Sequence, residues 1–346
     1  MSLNSRKDSA MKQKPTVAIC YDFDGTLSPK NMQEFGFFHG LPDKERRSFW
    51  KESNGLAKKL GADQNLTYMK LMVDKARQPG NDLKATKNAF EEYGKDIKFF
   101  KGVENWFSRI KKYGKVKGVN VEHYIISSGL KEMVEGSLIG KAFTKIYACS
   151  FLYDKHGLAE WPGQVVNCTS KTQYLFRINK GIEDDSDTVL LNSYVKPEDR
   201  PVPFSRIVYI GDGSTDIPCM RLVKDLGGYS IAVYKPRSQE KKTVAEKLYS
   251  DKRVNYIAPA DYSEGSNLDE LLKRIIDRIV SDYHLEKLSR RLNPQAVANQ
   301  CQPQEEVASG EKPVAGNVAV DFVNTESNTI QVAQINSGEE LADDRT

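Results

Sequence analysis

Two short acidic motifs carry the chemistry legible in this chain of 346 residues. The first is YDFDGTL, Tyr21 to Leu27, in which Asp22 and Asp24 stand directly behind the apolar run TVAICY. The second is GDGSTD, Gly211 to Asp216, directly behind the apolar run RIVYI. Carboxylates at the ends of such strands leave the C-terminal edge of a sheet, where open α/β folds place ligands. Gly25 permits the turn, and Thr26 can hydrogen-bond locally. From average residue usage, one such motif arises by chance in about one chain in a hundred, both in about one in ten thousand. That rarity favours a site over two unrelated surface turns. If Asp22, Asp24, Asp212 and Asp216 converge at one edge, their like charges raise one another's pKa values and destabilise the fold. A hard cation relieves that repulsion. Oxygen ligands with no histidine or thiolate nearby favour Mg2+.

The elements that must hold these acids are short apolar strands alternating with helical stretches, the pattern of a parallel sheet with helices on both faces. Strands are expected at 16–21, 121–126 and 206–210, with further candidates at 145–149, 229–234 and 255–258. Their nearly continuous apolar runs suit strands covered on both sides. Nearly a hundred residues separate the first strand from VEHYII, with helical patterns at 43–60, 66–77 and 82–93. This is too much material for one crossover and reads as an inserted helical subdomain. A helix at 103–113 returns the chain to the sheet. From Asn267, Leu268, Leu271, Leu272, Ile275, Ile276 and Ile279 recur at helical spacing behind the cap candidate Ser266.

Composition narrows the function classes. A 39% hydrophobic, 28% charged chain with a mean hydropathy of −0.56 has no apolar run long enough for a membrane span. The N-terminus lacks the apolar core of a secretory signal, and Met11 is an alternative start. Five scattered cysteines without a CxxC motif suit reduced thiols and a cytoplasmic setting. Four scattered histidines argue against a histidine-rich metal centre. From Cys301 to Thr346 the chain carries nine acidic and two basic residues, a net of −7, whereas the remainder has a net of +11. After Leu292 the chain carries Pro294, Pro303 and Pro313, many acids and a single aromatic, Phe322; it cannot bury enough apolar area to order itself and is expected to be disordered.

These motifs, in this order, resemble those of the haloacid dehalogenase (HAD) superfamily. The first is Asp22-Phe-Asp24-Gly-Thr26 and the second is Ser127 in YIISSGL. The third is Lys171 in NCTSKTQYLF, with Lys180 as rival, and the fourth runs from Gly211 to Asp216. The likeness spans residues 14–290. It is strongest to the phosphoserine-phosphatase-like branch, which places a helical cap between its first two motifs. The resemblance implies a Rossmann-like α/β core at 14–29 and 100–291, a helical cap at 30–99 and a tail at 292–346. It further implies an aspartyl-phosphate mechanism on a small phosphorylated metabolite. Asp22 would be the nucleophile, and Asp24 the general acid and then base. Mg2+ would be held by the Asp22 carboxylate, the Asp24 carbonyl and Asp212, with Asp216 in support. Ser127 and Lys171 would bind the phosphoryl oxygens.

One departure concerns the leaving group. Phosphoserine phosphatases carry an acid for the substrate amine shortly after the first motif; here that position is Asn31, with Glu34 three residues on. Asp24 argues against a dehalogenase, which needs no such acid. Alternatives in other classes are phosphotransfer to an acceptor other than water, a phosphatase of nucleic-acid ends suggested by the basic body, and a binding protein without catalysis. Trp161 is expected in core or hairpin packing, His123 in a structural role and Cys20 in the core.

Overall fold

Residues 14–79 and 82–293 are described by a computed structural model. The apolar runs become a sheet of seven strands: β1 (Thr16–Tyr21), β2 (Asn120–Leu130), β3 (Lys145–Tyr153), β4 (Ala159–Gln164), β5 (Ile207–Gly211), β6 (Tyr229–Tyr234) and β7 (Tyr256–Pro259). Their spatial order is β4-β3-β2-β1-β5-β6-β7, and every neighbouring pair is parallel except β3 with β4. After β1 the chain builds outward through β2, β3 and β4, then returns to lay β5 against the other side of β1. The topology therefore reverses between β1 and β5, the place where a crevice opens at the C-terminal edge. Every residue of β5 is buried, as are all but the first of β1, which accounts for their unbroken hydrophobicity.

The helices are α1 (Gly36–His39), α2 (Asp43–Leu60), α3 (Gln64–Ala76), α4 (Lys87–Gly94), α5 (Val103–Val116), α6 (Lys131–Gly136), α7 (Lys171–Lys180), α8 (Thr188–Asn192), α9 (Ile217–Asp225), α10 (Gln239–Ser250) and α11 (Asn267–Leu292). Helices α1 to α4 lie in the insert between the first two motifs. Their inner face is aromatic: Phe37, Phe38 and Phe49 are buried and meet edge-on or tilted, with Trp50 and Tyr68 beside them. The insert is tied to the core by backbone contact. A Cβ on Gly94 of α4 would stand 2.2 Å from the Met133 carbonyl, and one on Gly136 of α6 would stand 2.0 Å from that of Glu91. Only glycine permits α4 and α6 to approach so closely.

Helix α5 is pinned behind β1 by a buried polar chain. Trp106 Nε1 donates to the Tyr21 hydroxyl at 2.9 Å, and that hydroxyl is 3.1 Å from His123 Nδ1. Because tryptophan can only donate, the tyrosine proton goes to Nδ1, leaving Nε2–H for the Phe107 carbonyl at 3.2 Å. Burial pushes the His123 pKa down to about 3, so it stays neutral. His123 and Cys20 are both core residues, as expected.

Several expectations change in detail. The helix expected at 82–93 begins only at Lys87, capped by Thr86, whose Oγ1 accepts from the Ala89 amide. Residues before it pair instead with the β3–β4 hairpin: Ala159 N–H donates to Ala85 O and Lys87 N–H to Gly157 O. Strands β2 and β3 run farther than their apolar runs, and α3 starts two residues early at its Asp63 cap. Trp161 sits in the hairpin opposite Leu152 but is 69% exposed, so the core part of its expectation is not met. Ser266 caps α11 through the Asp269 amide. The tail lies outside the described residues from 294 onward, and residues 1–13 likewise.

Candidate active site

Strand β1 ends at Tyr21, and Asp22 continues its line by donating its amide to Ile210 O of β5 at 3.0 Å. The chain then folds tightly on itself, with Leu27 and Ser28 amides returning to Phe23 O. Gly25 makes the turn at φ +81°, and a Cβ there would fall 2.3 Å from Asp212 Oδ2. The glycine is thus required twice, by the left-handed backbone and by the approach of the second motif's carboxylate. That turn is held from outside by the Tyr262 hydroxyl on Thr26 O and by the Phe100 amide on Leu27 O.

The two motifs converge. Oxygens of Asp22, Asp212 and Asp216 all lie within 4.8 Å of one another. Lys171, the first residue of α7, completes the group: its Nζ is 2.7 Å from Asp22 Oδ1 and 2.7 Å from Asp216 Oδ1. Asp216 and Lys171 have no solvent exposure, and Asp22 has 5%. Asp216 also accepts from the Tyr209 hydroxyl at 2.8 Å. Its carboxylate is therefore largely engaged in holding the lysine, which leaves Asp22 and Asp212 as the freer oxygen donors.

Asp24 faces the end of β2. Its Oδ1 accepts the Met32 amide at 2.9 Å, while a Cβ on Gly129 would lie 3.4 Å from its Oδ2. Ser127 is buried in the same segment. The β1–β2 register pairs Tyr21 with Ile125, so Ser127 lies one residue beyond the partner of Asp22. Its Oγ accepts the Gly129 amide at 3.0 Å, leaving the hydroxyl proton for another acceptor. Lys180, the rival to Lys171, is turned away and donates to Leu191 O and Ser193 O.

The electrostatics follow from burial and crowding. Burial, and then the Asp216 charge, push Asp22 up to about 6 despite Lys171. Burial followed by Asp22 and Asp216 pushes Asp212 up to about 7. Asp24 is held well above the carboxylate range by burial and by Asp22. Lys171 loses to desolvation but gains more from Asp216 and Asp22, and stays protonated. The carboxylates thus outnumber the one buried cation, an imbalance that suits a divalent cation on hard oxygen ligands.

Sequence reading missed three contributors. Tyr209 stands alone with a polar tip in an apolar strand, and a buried hydroxyl needs a partner. Tyr68 of α3 reaches out of the insert to donate to Ser128 O at 2.8 Å. Of Asn31, Gln33 and Glu34, only Gln33 is buried, and its Oε1 has no hydrogen-bond partner among the described residues.

Comparison with known proteins adds to this geometry. Residues 19–221 match the family model described as haloacid dehalogenase-like hydrolase. An uncharacterized protein of Borreliella burgdorferi is 28% identical over 278 residues, covering 73% of this chain and 93% of its own. Among solved structures, a HAD family hydrolase of Salmonella enterica serovar Typhi aligns over 79% of this chain and 78% of its own, with 15% identity and a TM-score of 0.47. A phosphoserine phosphatase carrying a phospho-aspartyl intermediate analogue aligns over 75% and 99%, with 17% identity and a TM-score of 0.45.

Proposed function

The chain belongs to the haloacid dehalogenase-like hydrolases, and on that premise we propose that it is a Mg2+-dependent phosphomonoester hydrolase working through an aspartyl-phosphate. The observation that supports this most is the buried Lys171 ammonium shared between Asp22 and Asp216 at the crossover of the sheet. A dianionic phosphoryl group brought to Asp22 meets a fixed positive charge there, with no reorganisation at the moment of reaction.

In the first displacement an Asp22 carboxylate oxygen attacks phosphorus and the bond to the leaving oxygen breaks. Asp24, whose pKa is raised by burial and by the Asp22 charge, hands its proton to that oxygen. In the second, water attacks phosphorus, its proton returns to Asp24, and the Asp22 carboxylate is released with inorganic phosphate. Ser127 donates its free hydroxyl proton to a phosphoryl oxygen, and Lys171 offsets the charge. The Asp22 and Asp212 carboxylates would hold Mg2+, with the Asp24 carbonyl as a further ligand and Asp216 in support. When bound, it neutralises the phosphoryl oxygens and the crowded acids.

The substrate class is a small phosphorylated metabolite. The near-complete burial of Asp22 and Lys171 supports a leaving group enclosed by a cap at 30–99 rather than a macromolecular end. No helix among the described residues is long and apolar enough to cross a membrane, and the cytoplasmic assignment rests on the cysteine pattern. The test is hydrolysis of p-nitrophenyl phosphate with Mg2+, with EDTA, and by a folded Asp22→Asn variant. Turnover that needs both the metal and Asp22 is expected. Turnover surviving in Asp22→Asn would sink the mechanism.

A further inference from the structure

A residue outside the carboxylate group holds the segment that leads into Lys171. Helix α7 begins at Lys171, yet Ser170 before it makes no side-chain cap. Asn167 does this work from four residues upstream. Its Oδ1 accepts the Ser170 amide at 2.9 Å and the Thr169 amide at 3.2 Å, and its carbonyl accepts the Lys171 amide at 3.0 Å. With Oδ1 committed to the Thr169 and Ser170 amides, the amide nitrogen of Asn167 faces outward and donates to Asp63 Oδ2 at 3.2 Å.

Asp63 is itself a cap, on the other side of the contact. Its Oδ1 accepts the Asn65 and Leu66 amides at the start of α3, in the insert. Asn65 then reaches back, donating Nδ2 to Val166 O at 2.9 Å. The N-termini of α3 and α7 are therefore joined through their own capping side chains, and the same α3 holds Ser128 O through Tyr68. From Asp63 to Lys171 Nζ every link is a hydrogen bond or one turn of helix.

We infer that the Asp63–Asn167 contact is a positioning device that places Lys171 against Asp22 only when helix α3 of the insert is seated on the core. This rests on the phosphoryl chemistry assigned to Lys171. Asn167 and Asp63 are positioning residues, acting through the lysine.

The decisive variant is Asn167→Asp. Aspartate caps a helix as well as asparagine does, so the α7 cap is kept. Its second oxygen, however, now faces the Asp63 carboxylate and repels it. The double variant Asp63→Asn with Asn167→Asp reverses the polarity of the pair and restores one hydrogen bond, with both caps intact. For Asn167→Asp the expected result is a fall in kcat on the order of tenfold with KM little changed, and a return to within about threefold in the double variant, a coupling of the size seen between contacting residues. Amide exchange of residues 169–175 should accelerate in the single variant and slow again in the double. Full kcat in Asn167→Asp would show that the residue is only a local cap and overturn the inference, as would recovery of melting temperature without recovery of kcat. A wild type inert toward phosphate esters refutes the proposed function instead, and the contact is then judged on amide exchange alone. Unchanged exchange in Asn167→Asp overturns it.

Discussion

If Mg2+ binds the carboxylates at the β1–β5 crossover as proposed, protons compete with it there, and the size of that competition can be worked out from the site. Asp212 is lifted from its ordinary 3.8 to about 7 by burial and by Asp22 and Asp216. An acid whose folded pKa is raised keeps its proton in the metal-free fold, so it contributes stability at low pH that is lost as pH rises through about 7. The metal requires the ionised form. At pH 8 it finds Asp212 ionised, but at pH 5 it must displace a proton held two pH units more tightly than the solution offers. The apparent Mg2+ affinity should therefore fall about a hundredfold between pH 8 and pH 5, roughly 2.7 kcal/mol. Asp22, raised to about 6, adds about another factor of ten. The assay is a Mg2+ titration followed by thermal unfolding at both pH values, with EDTA-treated protein as reference. At fixed high Mg2+, the metal-induced rise in Tm should be larger at pH 8 by about 5–10 °C. His123, neutral with a pKa of about 3, costs stability in acid as the unfolded chain takes up its proton, but with and without metal alike, so it cancels in the difference. Equal Mg2+ affinity at pH 5 and pH 8 would refute the reasoning. So would an Asp212→Asn variant that retained the full pH dependence.

Removing the buried cation should be costly in itself: Lys171→Met leaves Asp22 and Asp216 facing each other and should lower stability by about 3–5 kcal/mol in EDTA at pH 8. Urea unfolding checks this, and the loss should shrink at pH 5, where Asp22 can take up a proton; a pH-independent loss contradicts the pairing. Gly25→Ala combines a left-handed residue with a Cβ 2.3 Å from Asp212 Oδ2. It should cost about 1–2 kcal/mol in backbone strain and weaken Mg2+ binding at least about tenfold, read by unfolding and by metal titration; wild-type metal affinity would remove Gly25 from the cradle. Tyr209→Phe deletes the donor to Asp216 and should destabilise by about 1.5–3 kcal/mol with KM unchanged. Unaltered unfolding would mean that water replaces the hydroxyl.

Much of the fold was legible because its signals are local. An unbroken run such as TVAICY can be read as a doubly covered strand without its neighbours, and the strand at Thr16–Tyr21 and the helix at Asp43–Leu60 have the bounds expected of them. Element boundaries failed where the backbone had another partner. Residues before Lys87 have helix-compatible side chains, but their peptide groups bond to the β3–β4 hairpin, which no window of sequence contains.

The sequence by itself determined the candidate residues: acidic motifs behind two strands, a hydroxyl behind a third, and their likeness to the motifs of one family. The physical reason is that strand ends, glycine turns and carboxylate spacing are encoded within a few residues of one another. Only the tertiary structure decided which lysine reaches the carboxylates. Lys171 and Lys180 share one helix, yet one is sealed between Asp22 and Asp216 while the other holds Leu191 and Ser193 carbonyls. It also revealed the cap-to-cap contact of Asp63 with Asn167 and the support of Tyr209 beneath Asp216. Burial, ion pairing and pKa displacement depend on which distant segments close around a group, and that is settled by packing rather than by neighbouring residues.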